Sequence, residues 1–248
     1  MRSLWRITKP ICCYLFVLYF LGSCSGGREQ SSDPTVHKLV QGVVAAHGGE
    51  KALSRVKGYM AEGQLYATHR NVRIRTRRWF GRPDNLLLEL NYPDQPEWRL
   101  TLGSMSWKGP DADHLSPASG PMIWSMRLQT ARFDLPLRLL ENEKDVVLLD
   151  PDEAGRAVLL HQLDDGLSLK YHIDPDTQRI VKMTMAMTGP PAMTFEADYI
   201  NFKEVEGVFF PHGEVTRAGG TITSRVVLDK ITINPANLSR KFMAPGSF

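Results

Sequence analysis

From Gly58 to Asn234, apolar and polar residues alternate in segment after segment, with turn residues between the segments. Successive side chains of an extended chain point to opposite faces. A period of two therefore builds a sheet with one apolar and one wetted face. Val72, Ile74 and Phe80 alternate with Arg73, Arg75, Arg77 and Trp79. Leu86, Leu88, Leu90 and Tyr92 alternate in part with Glu89 and Asn91, and Trp98, Leu100 and Leu102 alternate with Arg99 and Thr101. Further on, residues 154–163 and 167–174 flank Asp165-Gly166, a hairpin turn signal. Leu167, Leu169, Tyr171 and Ile173 share one side of the second arm, and Met183, Met185 and Met187 share one side of residues 179–188. Residues 193–203, 207–217 and 221–234 complete the series. The pattern predicts about ten or eleven antiparallel strands.

Helical signals precede this pattern and interrupt it once. Asp33-Pro34 supplies an N-cap and a first-turn proline, and Val36, Leu39, Val40, Val43 and Val44 then recur at helical spacing until Gly48-Gly49. A second short helix is predicted from Glu50 to Val56. Between Pro121 and Glu141, Met122, Ile123, Met126 and Leu128 fit helical spacing, Pro136 breaks the run, and Leu137, Leu139 and Leu140 follow. This reads as two short apolar helices, or a helix and a turn. A curved sheet covered by such helices encloses an apolar pocket. Its candidate lining is Val72, Ile74, Leu86, Leu88, Leu90, Trp98, Leu100, Leu102, Leu167, Leu169, Tyr171, Met183, Met185 and Met187. Met122, Ile123, Trp124 and Met126 would form the lid. Methionine adapts to variable apolar partners, but the same three methionines also suit an ordinary core strand.

The N-terminus has a different character. Arg2, Arg6 and Lys9 precede an apolar run from Ile11 to Leu21, which leads into Leu21-Gly22-Ser23-Cys24. A basic segment, a short apolar segment and a small-residue junction, in that order, make a secretory leader. Residues 1–23 are expected to be removed, residues 24–33 to serve as a small polar tether, and residues 34–248 to fold. Without the leader's three cations, the 30 Lys+Arg fall level with the 27 Asp+Glu, and no excess of positive charge favours nucleic acid. Cys12, Cys13 and Cys24 are the chain's cysteines. The expected folded part thus has no disulfide, thiol nucleophile or cysteine-held zinc.

Little else points to chemistry. His37, His47, His69, His114, His161, His172 and His212 are scattered, with no HExxH, and no G-x-S-x-G or phosphate-binding glycine loop occurs. No catalytic residue, metal or cofactor is expected. Arg73, Arg75 and Arg77 share a strand face. They fit a solvated outer face paired with neighbouring acids better than a surface for membrane phosphates.

Leu21-Gly22-Ser23-Cys24 resembles the bacterial lipobox, which implies acylation of Cys24. Three further stretches carry a wider resemblance: Ala45-Ala46-His47-Gly48-Gly49-Glu50-Lys51-Ala52-Leu53 with Val56-Lys57-Gly58; Phe202 to His212; and Ile233-Asn234-Pro235 with Phe242 and Pro245. Together they resemble the outer membrane lipoprotein-sorting proteins of the LolA/LolB-like superfamily. The resemblance covers the chain from Thr35 onwards. It implies a mainly β fold, an incomplete antiparallel barrel of about eleven strands lidded by short helices. It also implies non-catalytic holding of acyl chains of lipids or lipoproteins, by a monomer facing the periplasm from the outer or inner membrane. The acylated cysteine is nearer to the anchored acceptor than to the soluble carrier. The acceptor's apolar loop has its nearest counterpart in Gly81–Asn85, which is polar. The alternative is an envelope interaction or stress-sensor scaffold with the same fold and a protein partner.

Overall fold

The computed structural model describes residues 33–163, 166–188 and 192–245. The leader, Cys24 and Asp165 of the hairpin lie outside the described residues. Helix α1 (Pro34–Ala46) starts as its sequence dictates: the Asp33 side chain accepts from the Thr35 amide at 2.7 Å, and Pro34 opens the first turn. Its buried stripe is Val36, Val40, Val43 and Val44. Helix α2 is shorter than predicted, Glu50–Leu53, because Ser54 and Arg55 turn the chain into the first strand.

The strands are β1 (Gly58–Ala67), β2 (Val72–Gly81), β3 (Asn85–Leu90), β4 (Glu97–Leu102), β5 (Met105–Gly109) and β6 (Ser116–Pro117). Helices α3 (Pro121–Ala131) and α4 (Leu137–Glu141) follow. Then come β7 (Val146–Leu149), β8 (Ala157–Gln162), β9 (Leu167–Ile173), β10 (Ile180–Met187), β11 (Met193–Val205), β12 (Val208–Ala218) and β13 (Thr221–Ile233). The sequence pattern did not reveal β5, β6 and β7. They are short, and two of them lie at the sheet's edges.

All thirteen strands form one antiparallel sheet in the order β6-β5-β4-β3-β2-β1-β13-β12-β11-β10-β9-β8-β7. Two meanders meet where β1 pairs with β13, with Tyr59 opposite Ile233 and Ala67 opposite Ser224. The sheet stays open, with β6 and β7 as free edges, and α3 and α4 carry the chain between those edges. Arg138 of α4 pairs with Asp84, next to β3, and its charge also bears on His161 of β8. In a flat sheet these two strands would stand eight spacings apart, roughly 38 Å at about 4.8 Å per strand. The sheet therefore curls around its helices as a half-barrel.

The outer face follows the charge reading. Arg77 on β2 reaches Glu62 on β1 at 2.7 Å and Glu89 on β3 at 3.5 Å. One corner departs from it. Trp79, Leu87 and Leu100 are buried together on the outer side, with Trp98, Leu102 and Trp107 packed on them. Leu238 and Phe242 cover that corner, and the Lys241 ammonium stands 4.3 Å from the centre of the Trp79 ring. Among the described residues no helix is long and apolar enough to cross a membrane.

Candidate functional site: the concave face and its helical cover

Three groups of residues hold the concavity's ends in place. His47 ends α1, and its backbone carbonyl accepts from the Phe209 amide at 3.0 Å. Its ring lies 3.1 Å (Nδ1) from the Phe209 carbonyl and 3.4 Å (Nε2) from the Ile180 amide. A carbonyl accepts and an amide donates, so Nδ1 carries the proton and Nε2 accepts. Burial lowers the imidazole pKa to about 4, against the hydrogen bond to Phe209 and with the help of Arg179. Gly48, at φ 120°, lies so close to the Gly207 carbonyl that a Cβ there would come within 2.1 Å of it. Asn234 ties the far end: its Oδ1 accepts from the Lys57 amide at 2.8 Å, and its Nδ2 donates to the Arg55 carbonyl at 2.8 Å. The three stretches that carry the family resemblance thus meet in space.

The residues predicted to line the pocket fall into three places. Leu86, Leu88, Leu167, Leu169, Tyr171, Met183, Met185 and Met187 share the main inner cluster, with Trp124 packed against it. Ile74 and Leu90 form a smaller cluster with Ala67 and Tyr92, against which Val72 packs. Trp98, Leu100 and Leu102 lie on the opposite, outer face. Leu100 pairs with Leu87 and Trp98 with Glu89, whereas Leu86, Leu88 and Leu90 face Thr101, Arg99 and Glu97. The prediction went astray there because both faces of this corner are apolar. Of the lid residues Met126 is buried, while Met122, Ile123 and Trp124 are half-buried.

The interior is mostly filled. Met183, Met185 and Met187 pack within the core. A cavity of about 230 Å³ persists between α3 and strands β1 and β10–β13. Leu65, Ala67, Leu128, Met185 and Phe195 give its apolar lining; His69, Arg99 and Arg217 stand at its border. Met185 is the one predicted residue that borders it. Met122 borders a separate hollow of about 430 Å³ beside β5 and β6, with Arg70, Glu97 and Lys108.

Deeper in the concavity lies a group of charges. Arg78 donates from Nη1 to Glu214 Oε2 at 3.1 Å, and its Nη2 stands 2.8 Å from Oε1. Arg132, just after α3, donates to the same Oε2 at 3.1 Å. Burial pushes the Glu214 carboxyl up, but the two guanidiniums outweigh that and hold it below the usual range. Both guanidiniums lie over the Phe133 ring, at 4.7 and 4.4 Å. The Tyr59 and Tyr199 rings border the same space, a cavity of about 40 Å³. Tyr59 donates to the Phe133 carbonyl at 3.4 Å. Parity was the available signal for this group: Arg78 shares its face with Ile74, Thr76 and Phe80, not with Arg75 and Arg77.

Elsewhere, Asp152, His172 and Thr184 form a hydrogen-bonded chain on the outer face, at 2.8 and 3.0 Å. His172 lies opposite Lys182 on β10 and Val158 on β8, within the sheet ladder. Among the described residues no cluster of His, Cys, Asp or Glu is placed to hold a metal ion.

The half-barrel matches solved structures over most of its length. A LolA superfamily protein from Nitrosomonas europaea superposes with a TM-score of 0.55 at 12% identity, covering 84% of this chain and 97% of that one. The chain has a LolA-like fold. A domain described as an outer membrane lipoprotein-sorting protein, from Vibrio parahaemolyticus, superposes on this LolA-like half-barrel at 0.52 and 11% identity, covering 83% and 98% of the two chains. A DUF1329 family protein from Desulfovibrio piger gives 0.55 at 8% identity, with 84% and 99% covered. No protein-family model and no curated protein matches the sequence. The LolA-like fold is thus seen in the architecture, while the sequence shares only 8–12% identity with these structures.

Proposed function

We propose that the protein is a membrane-anchored envelope lipoprotein that holds acyl chains of lipids or lipoproteins in its concavity, for trafficking to the outer membrane. The observation that carries this reading is the cavity under α3, lined on one side by Leu65, Leu128, Met185 and Phe195, at the place where the half-barrel is covered by a helix and not by its own strands. Ligand sites of this kind span roughly 300–1,000 Å³. The cavity of about 230 Å³ lies below that range, and in this reading a chain enters as α3 lifts and widens it. This helix suits a movable cover: its first turn keeps Met122, Ile123 and Trp124 half-exposed, and it starts at Gly120, whose φ is 56°. Transfer of hydrocarbon from water supplies about 25 cal/mol per Å² buried. The chemistry is binding and release, with no covalent step.

Acylation at Cys24 would hold the domain at the membrane, and the basic leader, the apolar run and Leu21-Gly22-Ser23-Cys24 support it. In this reading the domain faces the periplasm, most simply from the outer membrane.

The extent of core filling favours a second reading, a scaffold of the same fold that binds a protein partner and no lipid. Mass spectrometry of organic extracts from the purified protein, with titration by a fluorescent fatty-acid probe, separates the two. Endogenous lipid or saturable probe uptake supports the carrier. Absence of both, with a stoichiometric co-purifying protein, supports the scaffold.

A further inference from the structure

We propose that the guest carries a carboxylate, which Arg78 and Arg132 receive inside the concavity while its hydrocarbon runs out beneath α3. This rests on the acyl-binding reading above and narrows its ligand class to long-chain carboxylates.

The charge count carries the argument. Arg78 and Arg132 are 4% and 6% exposed, and both are paired to the one carboxylate of Glu214. The other titratable base bordering this cavity, His47, is neutral in its hydrogen-bond arrangement, accepting at Nε2 from the Ile180 amide. Two cations against one anion leave a net positive charge away from water, a costly arrangement unless something answers it. The Phe133 ring, which both guanidiniums overlie, answers part of it. Moreover, Arg78 Nε is buried with no acceptor among the described residues. A guanidinium with an unused donor, beside a second guanidinium, is what an incoming carboxylate pairs with best.

Space and direction agree. The cavity bordered by Arg78, Arg132, Tyr199 and Glu214 measures about 40 Å³, above the roughly 10–15 Å³ that one water requires. It admits a carboxylate but not a glycerophosphate headgroup. Arg132 also borders the larger cavity under α3. A carboxylate at Arg132 therefore has its hydrocarbon beside Leu128, Met185 and Phe195, leading towards His69 and Tyr92.

The test compares one hydrocarbon chain with different ends, on the purified protein. Calorimetric titration is run with palmitic acid, its methyl ester and a palmitoyl lysophospholipid. The acid is expected to bind about tenfold tighter than the ester or more, the worth of one charge-assisted hydrogen bond. Equal affinities for acid and ester overturn the proposal and leave the acyl-binding reading standing. A lysophospholipid tighter than the acid overturns the carboxylate assignment. No binding of any of the three overturns both readings. Glu214→Gln removes the competing carboxylate, and circular dichroism checks that it folds. It is expected to tighten the acid several-fold and leave the ester unchanged; an unchanged acid-to-ester ratio in the folded variant overturns the proposal. Should that variant fail to fold, the ligand comparison on the unaltered protein decides.

Discussion

Arg132, the residue that follows α3, reaches Glu214 of β12 at 3.1 Å in a spot that water barely touches. The same carboxylate oxygen accepts from Arg78 on β2. One carboxylate thereby joins the lid helix to both meanders of the sheet. Removing one partner of a buried ion pair leaves an unanswered charge and costs about 3–5 kcal/mol. Here Glu214→Ala leaves two guanidiniums facing each other. Its unfolding free energy, measured by urea titration, is expected to fall by an amount within or above that range. Glu214→Gln, which keeps a carbonyl oxygen for the guanidiniums, is expected to lose less. Equal losses for the two variants would show that the carboxylate's charge contributes nothing to stability.

The His47 ring sets a pH dependence of definite sign. Its folded pKa of about 4 lies below the ordinary 6.5, so between those values the unfolded chain takes up the proton first. His47 thus contributes its full stability above about pH 6.5. That contribution declines as pH falls and is gone below about pH 4. The gap corresponds to about 3 kcal/mol at about 1.4 kcal/mol per pKa unit. Asp134 works the other way. Burial raises its pKa to about 6, against its 2.5 Å contact with Arg82. Its folded form therefore gains the proton first between pH 6 and 3.8, and stability rises over that window. The difference between the unaltered protein and His47→Gln isolates the histidine: it is expected to shrink by about 3 kcal/mol from pH 7 to pH 4. A difference that stays flat with pH would contradict the neutral, buried assignment.

Much of the fold was legible because period and punctuation agree. Asp33-Pro34 and Gly48-Gly49 bracket α1 in the sequence and in the structure. The register places His161 opposite Leu169, as the Asp165-Gly166 signal in the sequence predicts. Alternation shows which residues of one strand share a side, but not which sides of successive strands agree. That is why Trp98, Leu100 and Leu102 were placed inside. The chain after Asn234 makes the outside of that corner apolar too, by laying Leu238 and Phe242 upon it. Local pattern cannot report a cover that comes from more than a hundred residues away. The buried charges were hidden for a similar reason. Arg78 sits within a run of arginines, and its partners Arg132 and Glu214 are distant in sequence.

The close approach of Gly48 to Gly207 predicts unequal effects of the same substitution. Gly48→Ala places a Cβ 2.1 Å from the Gly207 carbonyl oxygen at a φ of 120°. Backbone must shift, and the expected cost is about 2–5 kcal/mol, from strain and overpacking together. Gly207→Ala, at φ 85°, meets only Ala52 Cβ at 3.7 Å. Its cost is the conformational one, about 1–2 kcal/mol. Thermal melts that rank the two in the opposite order would refute the packing of α1 against the β11–β12 turn.

Asn234 predicts a graded series. Its φ of 47° suits Asn better than most residues, and its amide group serves the Lys57 amide and the Arg55 carbonyl. Asn234→Ala loses these bonds, the weaker one from the Gly58 amide at 3.3 Å and the conformational preference, an expected cost of about 2–3 kcal/mol. Asn234→Asp keeps the acceptor for Lys57 but offers nothing to Arg55, so it is expected to fall between the two. Urea unfolding of the three proteins checks the order.

Met185 gives a way to fill the cavity under α3 without touching its charges. It lies on β10 opposite Leu169 and Phe195, within the core and at the cavity's border. Met185→Trp puts a larger apolar group where a guest's hydrocarbon would lie. The cavity of about 230 Å³ has room for the added atoms, so the fold is expected to survive, with a stability change within about 1–3 kcal/mol. Uptake of a fluorescent fatty acid is expected to fall about tenfold or more, because the filled space can no longer bury the chain. Met185→Leu, with nearly the same volume, is the control and should retain uptake. A tryptophan variant that folds and takes up the probe as well as the unaltered protein would place the guest outside this cavity.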